Sequence, residues 1–392
     1  VIPQDINWIV ARAAQRKAPF PSAFMSSKPD AGINHKARYG VTSEGVFVFL
    51  DEALRQRGID AKAGQKFTLK LTGGPDGDVG GNMIKILNRE YGDACLIVGV
   101  ADGMGSAEDP QGLSHTELLR LFEEGLPISE YRFNKLGPKG ILHKCDNEAG
   151  IRARNTMHNR VKADAFVPAG GRPGTINGSN WRSYLDKDGK PSSPLVVEGA
   201  NLFTTPEARD ALFKEAGVVF VKDSSANKCG VICSSFEIIS SMLMSGEEFK
   251  ESKEDIVLDV LEKLRDASRR EAELLFRAHR NYPATPLPLI SERISNAINS
   301  VTDAVLKILD DAPAGEEQDN HMGLLLPLFR EHLPKKLVEV AFDRVPTTLP
   351  PQYLRNAMAS CLACRVVYKE GINFIDAQPR ERLGELALSY IR

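Results

Sequence analysis

Three glycines and one acid carry the clearest chemistry in this chain. Gly74, Gly77 and Gly80 stand three apart within LKLTGGPDGDVGGN, residues 69–82. Glycines at such a turn let backbone approach a pyrophosphate with no Cβ in the way. An alternating apolar stretch, Phe67 to Leu71, runs into the turn, and Val79, Met83, Ile84 and Leu87 leave it at helical spacing. Strand, tight turn and helix N-terminus in that order make an anion site, because the free amides of the first turn and the helix dipole both point into the turn. Asp102 closes a second apolar run, Cys95 to Ala101, about where an acid would meet an adenosine ribose. A carboxylate there favours the free hydroxyls of NAD over a phosphorylated ribose. The G-x-x-G-x-x-G spacing is one residue longer than the usual dinucleotide fingerprint, and the same residues would also serve a plain surface turn. Their joint placement is what favours a dinucleotide.

These residues need a sheet to hold them. Further apolar runs follow at Ile141 to Cys145, Ala163 to Pro168, Leu195 to Glu198 and Val218 to Val221, separated by helical or irregular stretches. Strands alternating with helices predict an α/β, Rossmann-like, doubly wound parallel sheet. Ligands of such sheets bind where the strands end. Three polar clusters fall there: 169–172 (AGGR), 198–201 (EGAN) and 223–227 (DSSAN). Before the sheet, Pro3 to Gln15 suits a short helix, and residues 17 to 40 form a long irregular segment. A second helix follows through Val46, Phe49, Leu50 and Leu54, with Thr42 or Ser43 as its cap. After Val221 no strand is convincing. Ile238, Ile239, Met242 and Leu243 suggest a buried helix, Glu254 to Arg277 a long amphipathic one, and the C-terminal extension reads as all-helical. The expected domains are 1–45 as an N-terminal helix and site-edge segment, 46–240 as the nucleotide-binding domain, and 241–392 as the helical domain.

Composition narrows the function. The 392 residues carry 52 acidic and 50 basic side chains, so no bulk field favours nucleic acid or an anionic membrane. No apolar run approaches the roughly 20 residues of a membrane span. Six cysteines in so long a chain do not suggest a disulfide framework. Cys361 and Cys364, and Cys229 and Cys233, lack a second pair in register for structural zinc, so no metal is expected. The seven histidines form no HExxH or Ser–His–Asp pattern. The chain begins at Val1 with neither initiator Met nor signal peptide, which suggests a piece of something longer.

Several longer motifs carry a resemblance to the glutamate dehydrogenases, and in particular to the large NAD-specific class. Smaller members read GxGNVG, then an acid, then IPxA, EGANxxTTPEA and ANxGGVxVSxFE. This chain has GDVGG at Gly77 to Gly81, Asp102, VPAG at Val167 to Gly170, EGANLFTTPEA at Glu198 to Ala208, and ANKCGVICSSFE at Ala226 to Glu237. YGVTSEGV at Tyr39 to Val46 matches the segment ahead of the nucleotide fold, and MSSKPDAGINHK at Met25 to Lys36 resembles the large class specifically.

The resemblance implies reversible oxidative deamination of L-glutamate to 2-oxoglutarate and ammonia, with hydride passed to NAD. By position, Thr42 resembles the threonine near the nicotinamide carboxamide and the substrate. Gly74, Gly77, Asp78, Val79 and Gly80 resemble the pyrophosphate turn, and Asp102 the ribose ligand. Ala169, Asn201 and Asn227 resemble residues lining the nicotinamide side, and Ser234 the serine that reaches the substrate's distal carboxylate. A homo-oligomer in the full-length protein is also implied, in the cytoplasm or, in a eukaryote, the mitochondrion. No PxGGxKGG-like stretch is present, so the family's catalytic lysine has no counterpart, and its proton-shuttling aspartate belongs upstream of Val1. Lys36, Lys70 and Lys222 lie near the expected edge, but nothing marks one as the base. Ser43-Glu44 stands where small members carry Gly-Arg, and Asp78 where they carry Asn. The reading is therefore the cofactor half of a large glutamate dehydrogenase, inactive alone. Its alternatives are a dinucleotide-binding regulatory or assembly module, and a related amino-acid dehydrogenase with another substrate.

Overall fold

The computed structural model describes residues 3–28, 32–33, 39–311 and 316–391. Seven strands form one sheet: β1 (Phe67–Thr72), β2 (Cys95–Ala101), β3 (Gly105–Glu108), β4 (Ile141–Lys144), β5 (Ala165–Pro168), β6 (Leu195–Val197) and β7 (Val219–Val221). The helices used below are α1 (Pro3–Gln15), α2 (Val41–Gln56), α3 (Asp78–Tyr91), α4 (His115–Glu124), α5 (Glu148–Arg160), α6 (Pro206–Ala216), α7 (Asp223–Ala226), α8 (Cys229–Leu243) and α9 (Gly246–Asn281).

The strand order is β4-β3-β2-β1-β5-β6-β7. β1 pairs in parallel with β2 and β5, and β6 and β7 continue the parallel array. The departure from a fully parallel sheet is β3, which runs antiparallel to both β2 and β4. Its GSAE sequence has no apolar alternation, so only the ladder on either side identifies it as a strand.

Both faces of the sheet are covered, which is why its strands read as continuous apolar runs. On one face Phe166, Val196 and Phe220 pack with Trp181, Tyr184, Phe203 and the α6 residues Ala208 and Leu212. The alternate residues Leu69, Leu71, Val167, Leu195 and Val197 are equally buried on the other face. Helices stop and start where side chains satisfy their end groups. Ser114 caps α4, Asn147 caps α5, and Thr205, followed by Pro206, caps α6.

Lys70 is the exception inside this apolar frame. It sits mid-strand in β1 and is fully buried, not at the carboxyl edge where the sequence reading places it. Its Nζ donates to His158 O, Val161 O and Ser192 Oγ, each at 2.7 Å. The Phe166 and Tyr184 rings lie 5.3 and 5.1 Å away. Burial pulls its pKa well down. Yet two of the three acceptors are carbonyls, and the Ser192 hydroxyl gives its own proton to His158 O at 2.8 Å. Three acceptors require three N–H donors, so this geometry specifies the ammonium form.

The chain divides into two compact units, His35–Gly230 with Pro286–Pro288, and the remainder. The first holds the sheet. The second is helical, built on α1, most of α8, the 36-residue α9 and the helices Leu287–Asp311, Glu316–His332 and Pro351–Glu370. The boundaries expected at 45/46 and 240/241 fall inside α2 and α8. α9 opens with a capping box between Ser245 and Glu248, and Arg344 clasps Glu248 at 2.7 and 3.0 Å. In the same unit Glu237, a residue of the ANKCGVICSSFE motif, accepts from the amides of Ser27 (2.6 Å) and Ile33 (2.5 Å). Lys36 and residues 34–35 lie outside the described residues. Among the described residues no helix is long and apolar enough to cross a membrane.

Candidate functional site

The strand order reverses between β1 and β5, the point at which ligands of such sheets bind beyond the strand ends. Two glycines meet back to back at that point. A Cβ on Gly73, whose φ is +98°, would lie 2.7 Å from Gly170 N, and one on Gly170 would lie 2.8 Å from Gly73 Cα. The strand ends are laced together by backbone. Ala169 and Gly170 both donate to Thr72 O at 2.7 Å, and Gly199 and Ala200 donate to Pro168 O at 2.9 and 2.6 Å.

α3 begins immediately after this junction, with Gly77 as its extended N-cap residue and no side chain capping it. Its first-turn amides and its dipole therefore face the turn. Gly80 is demanded by the fold: a Cβ there would sit 2.4 Å from Gly73 O. Gly77 differs, since its Cβ would meet only Gly74 O, at 3.2 Å, as its nearest neighbour. Gly74 is dictated by Asp102, whose Oδ2 lies 2.3 Å from where a Cβ on residue 74 would be.

Asp102 ends β2 as expected and is tightly held. Oδ1 accepts from Met104 N (2.7 Å) and Gly105 N (3.1 Å), and Oδ2 from Ile128 N (2.6 Å). Burial raises its pKa, the three amides oppose that rise, and the nearby Asp76 adds to it. One acceptor position on Oδ2 is spare beyond these bonds. Sequence reasoning missed Asp76 and the Ile128 amide. Asp76 belongs to the lengthened turn and was readable as a second acid there; nothing local announces Ile128.

α2 supports the turn from the side. Its N-cap is Gly40, in the left-handed region at φ +64°, and no side chain caps it. This corrects the expectation that Thr42 or Ser43 is the cap: both lie inside the first turn. Ser43 Oγ instead donates to Val79 O at 2.9 Å, and Glu44 pairs with Arg89 of α3 at 3.0 and 3.1 Å. Thr42 is half-buried beside them. Gly199 brings the β6 end close as well, since a Cβ there would meet Val79 Cγ1 at 3.2 Å and Val46 Cγ2 at 3.4 Å. Asn227 Nδ2 donates to Asn201 Oδ1 at 2.7 Å and to Gly199 O at 3.1 Å.

The sheet unit thus gathers Thr42, Gly74, Gly77, Asp78, Val79, Gly80, Asp102, Ala169, Asn201 and Asn227 at one edge. Ser234 belongs to the helical unit and is the sixth residue of α8. Lys222 stands at the end of β7, ahead of α7.

The parallel-dominant sheet with helices on both faces, a glycine turn opening a helix and a carboxylate ending the next strand define a Rossmann-like domain. More particularly, the chain belongs to the Glutamate/Leucine/Phenylalanine/Valine dehydrogenase family, which matches residues 32–283. The probable NAD-specific glutamate dehydrogenase of Schizosaccharomyces pombe is 34% identical over 94% of this chain and 34% of its own. The NAD-specific enzyme of Neurospora crassa is 32% identical over 93% of this chain and 36% of its own, and that of Saccharomyces cerevisiae 31% over 94% and 35%. The chain spans about a third of the length of these relatives.

Proposed function

We propose that this chain is the cofactor-binding portion of an NAD-dependent glutamate dehydrogenase, serving the oxidative deamination of L-glutamate to 2-oxoglutarate and ammonia. The observation that carries the reading is the uncapped start of α3 behind Gly77, next to a carboxylate seated against Gly74 at the β1/β5 switch. Those residues fit the group: no side chain caps the start of α3 behind Gly77, and its amides suit a pyrophosphate. NAD, when bound, supplies the hydride acceptor. Gly77, Asp78, Val79 and Gly80 hold the pyrophosphate, and the spare acceptor of Asp102 takes a ribose hydroxyl. Ala169, Asn201, Asn227 and Thr42 line the nicotinamide end, and Ser234 reaches toward the substrate's distal carboxylate. The lysine and aspartate of the chemistry come from the remainder of the full-length, oligomeric enzyme.

Calorimetric titration of the chain with NAD and NADP tests this reading. The expected outcome is binding of NAD in preference to NADP. Asp102→Ala should weaken NAD by about 10- to 100-fold, the loss of one hydrogen bond to a charged group. A thermal melt alongside separates lost binding from lost fold, because the same carboxylate holds three amides. An Asp102→Ala chain that binds NAD like wild type removes the ribose assignment, and a folded wild type that binds neither nucleotide overturns the reading.

A further inference from the structure

One exposed residue at this edge is held in a conformation its type disfavours. Leu202 has φ +56° and is 59% exposed, so no burial of its side chain offsets the left-handed backbone. Its main chain is fixed at both ends instead. Leu202 N donates to Asp223 Oδ2 at 2.8 Å, and Leu202 O accepts from Gly174 N at 2.8 Å. The other oxygen of Asp223 faces Arg209 Nη2 at 3.3 Å, and the same nitrogen contacts Glu198 Oε2 at 2.5 Å. All three charged side chains are buried.

The three come from three elements. Glu198 follows β6, Asp223 follows β7, and Arg209 lies on α6 between them. One guanidinium therefore ties together the two ends of the loop that carries Asn201. Asn201 immediately precedes the strained residue and is the partner of Asn227.

We infer that Arg209 is a positioning residue: by clamping Asp223 and Glu198 it holds the left-handed turn at Leu202 and so presents the Asn201–Asn227 pair at the cofactor edge. The cofactor consequence rests on the function proposed above, whereas the clamp itself does not. Lysine replaces it poorly, because its Nζ lies one bond nearer the backbone than Nη2, the single nitrogen that meets both carboxylates. Glycine at 202 would adopt the same turn without strain.

Two measurements on wild type, Arg209→Lys, Leu202→Gly and the double variant test the inference. The first is amide hydrogen exchange at residue 202. Leu202 N–H should be protected in wild type and at least about 10-fold less so in Arg209→Lys, with the β1 and β5 amides unchanged. Equal protection in the two chains overturns the clamp, whether or not NAD binds. The second is NAD titration. Arg209→Lys should weaken binding about 10-fold, Leu202→Gly alone should leave it near wild type, and the double variant should recover several-fold. A purely structural arginine would show the same loss with leucine or glycine at 202, and that result overturns the positioning role. Wild type that binds no NAD while showing the expected exchange pattern overturns the cofactor reading and leaves the clamp standing.

Discussion

His158 makes the sheet unit's stability depend on pH over a defined window. Its ring is 5% exposed, stacked at 6.2 Å on Phe166 and edge-on at 5.8 Å to Phe203. Burial pushes its pKa down to about 4, and the neighbouring Lys70 charge pushes the same way. In the unfolded chain the same imidazole titrates near 6.5. Between these values the unfolded state binds the extra proton, so stability is fully present above about 6.5 and is lost as the pH falls toward 4. Each pH unit costs about 1.4 kcal/mol, so the whole window is worth about 3 kcal/mol from this one ring. The assay is urea unfolding at several pH values between 7.5 and 4.5. Fluorescence of the buried Trp181 reports the sheet unit, in a Trp8→Phe background that silences the exposed Trp8. His158→Leu in the same background removes the titrating group and leaves every other one in place. The free-energy difference between the two chains should change by more than 2 kcal/mol across the window, at the expense of the histidine chain at low pH. Parallel pH profiles would refute the argument, since they mean that the ring accepts its proton without leaving its pocket.

Three further substitutions have outcomes set by their surroundings. Gly80→Ala places a methyl 2.4 Å from a backbone oxygen and should lower the melting temperature sharply. Gly77→Ala should melt near wild type while binding NAD at least about 10-fold more weakly, because its methyl enters the turn itself; tight binding by Gly77→Ala would move the pyrophosphate elsewhere. Lys70→Met removes the donor to the part-buried Val161 O and should destabilise the sheet unit by about 2–4 kcal/mol at pH 7, by urea unfolding. It should also raise the His158 pKa and so narrow the pH window; an unchanged window would deny the electrostatic link between them.

What could be read from sequence was whatever the local pattern determines. β1, the glycine turn and α3 follow one another within 25 residues, and the turn's shape is written in its glycines. The apolar runs of a sheet covered on both faces are equally plain, and five of the other six strands were located from them. β3 was not, because a short GSAE segment is a strand only through its neighbours. Lys70 looked like an edge lysine because one face of an isolated strand is polar. In the folded chain that face lies under the end of α5, whose carbonyls provide what the ammonium needs. The cap at Thr42 or Ser43 failed for a related reason: Gly40 turns the chain by itself, which leaves Ser43 free to bond across to α3. Arg209 was hidden inside TTPEAR, where capping threonine, proline and a helical run explain every residue but the arginine.

The departures from the smaller enzymes' motif form a coherent set once the contacts are known. Ser43 and Glu44, in place of Gly-Arg, both reach α3, one through Val79 O and the other through Arg89. Gly74, which belongs to the lengthened turn, is the position that leaves room for the Asp102 carboxylate. The longer turn is therefore braced from α2 and closed against β2, and its extra residue does not loosen it. In the proposed site this arrangement ties the ribose end to the pyrophosphate end. A change at Ser43, which touches no cofactor in the proposed site, should then alter affinity through Val79, while the same change at solvent-facing Arg55 at the far end of α2 should not. Ser43→Ala and Arg55→Ala, titrated side by side with NAD, separate the two. Equal affinity in both would mean that α3 and its glycine turn hold their shape without α2.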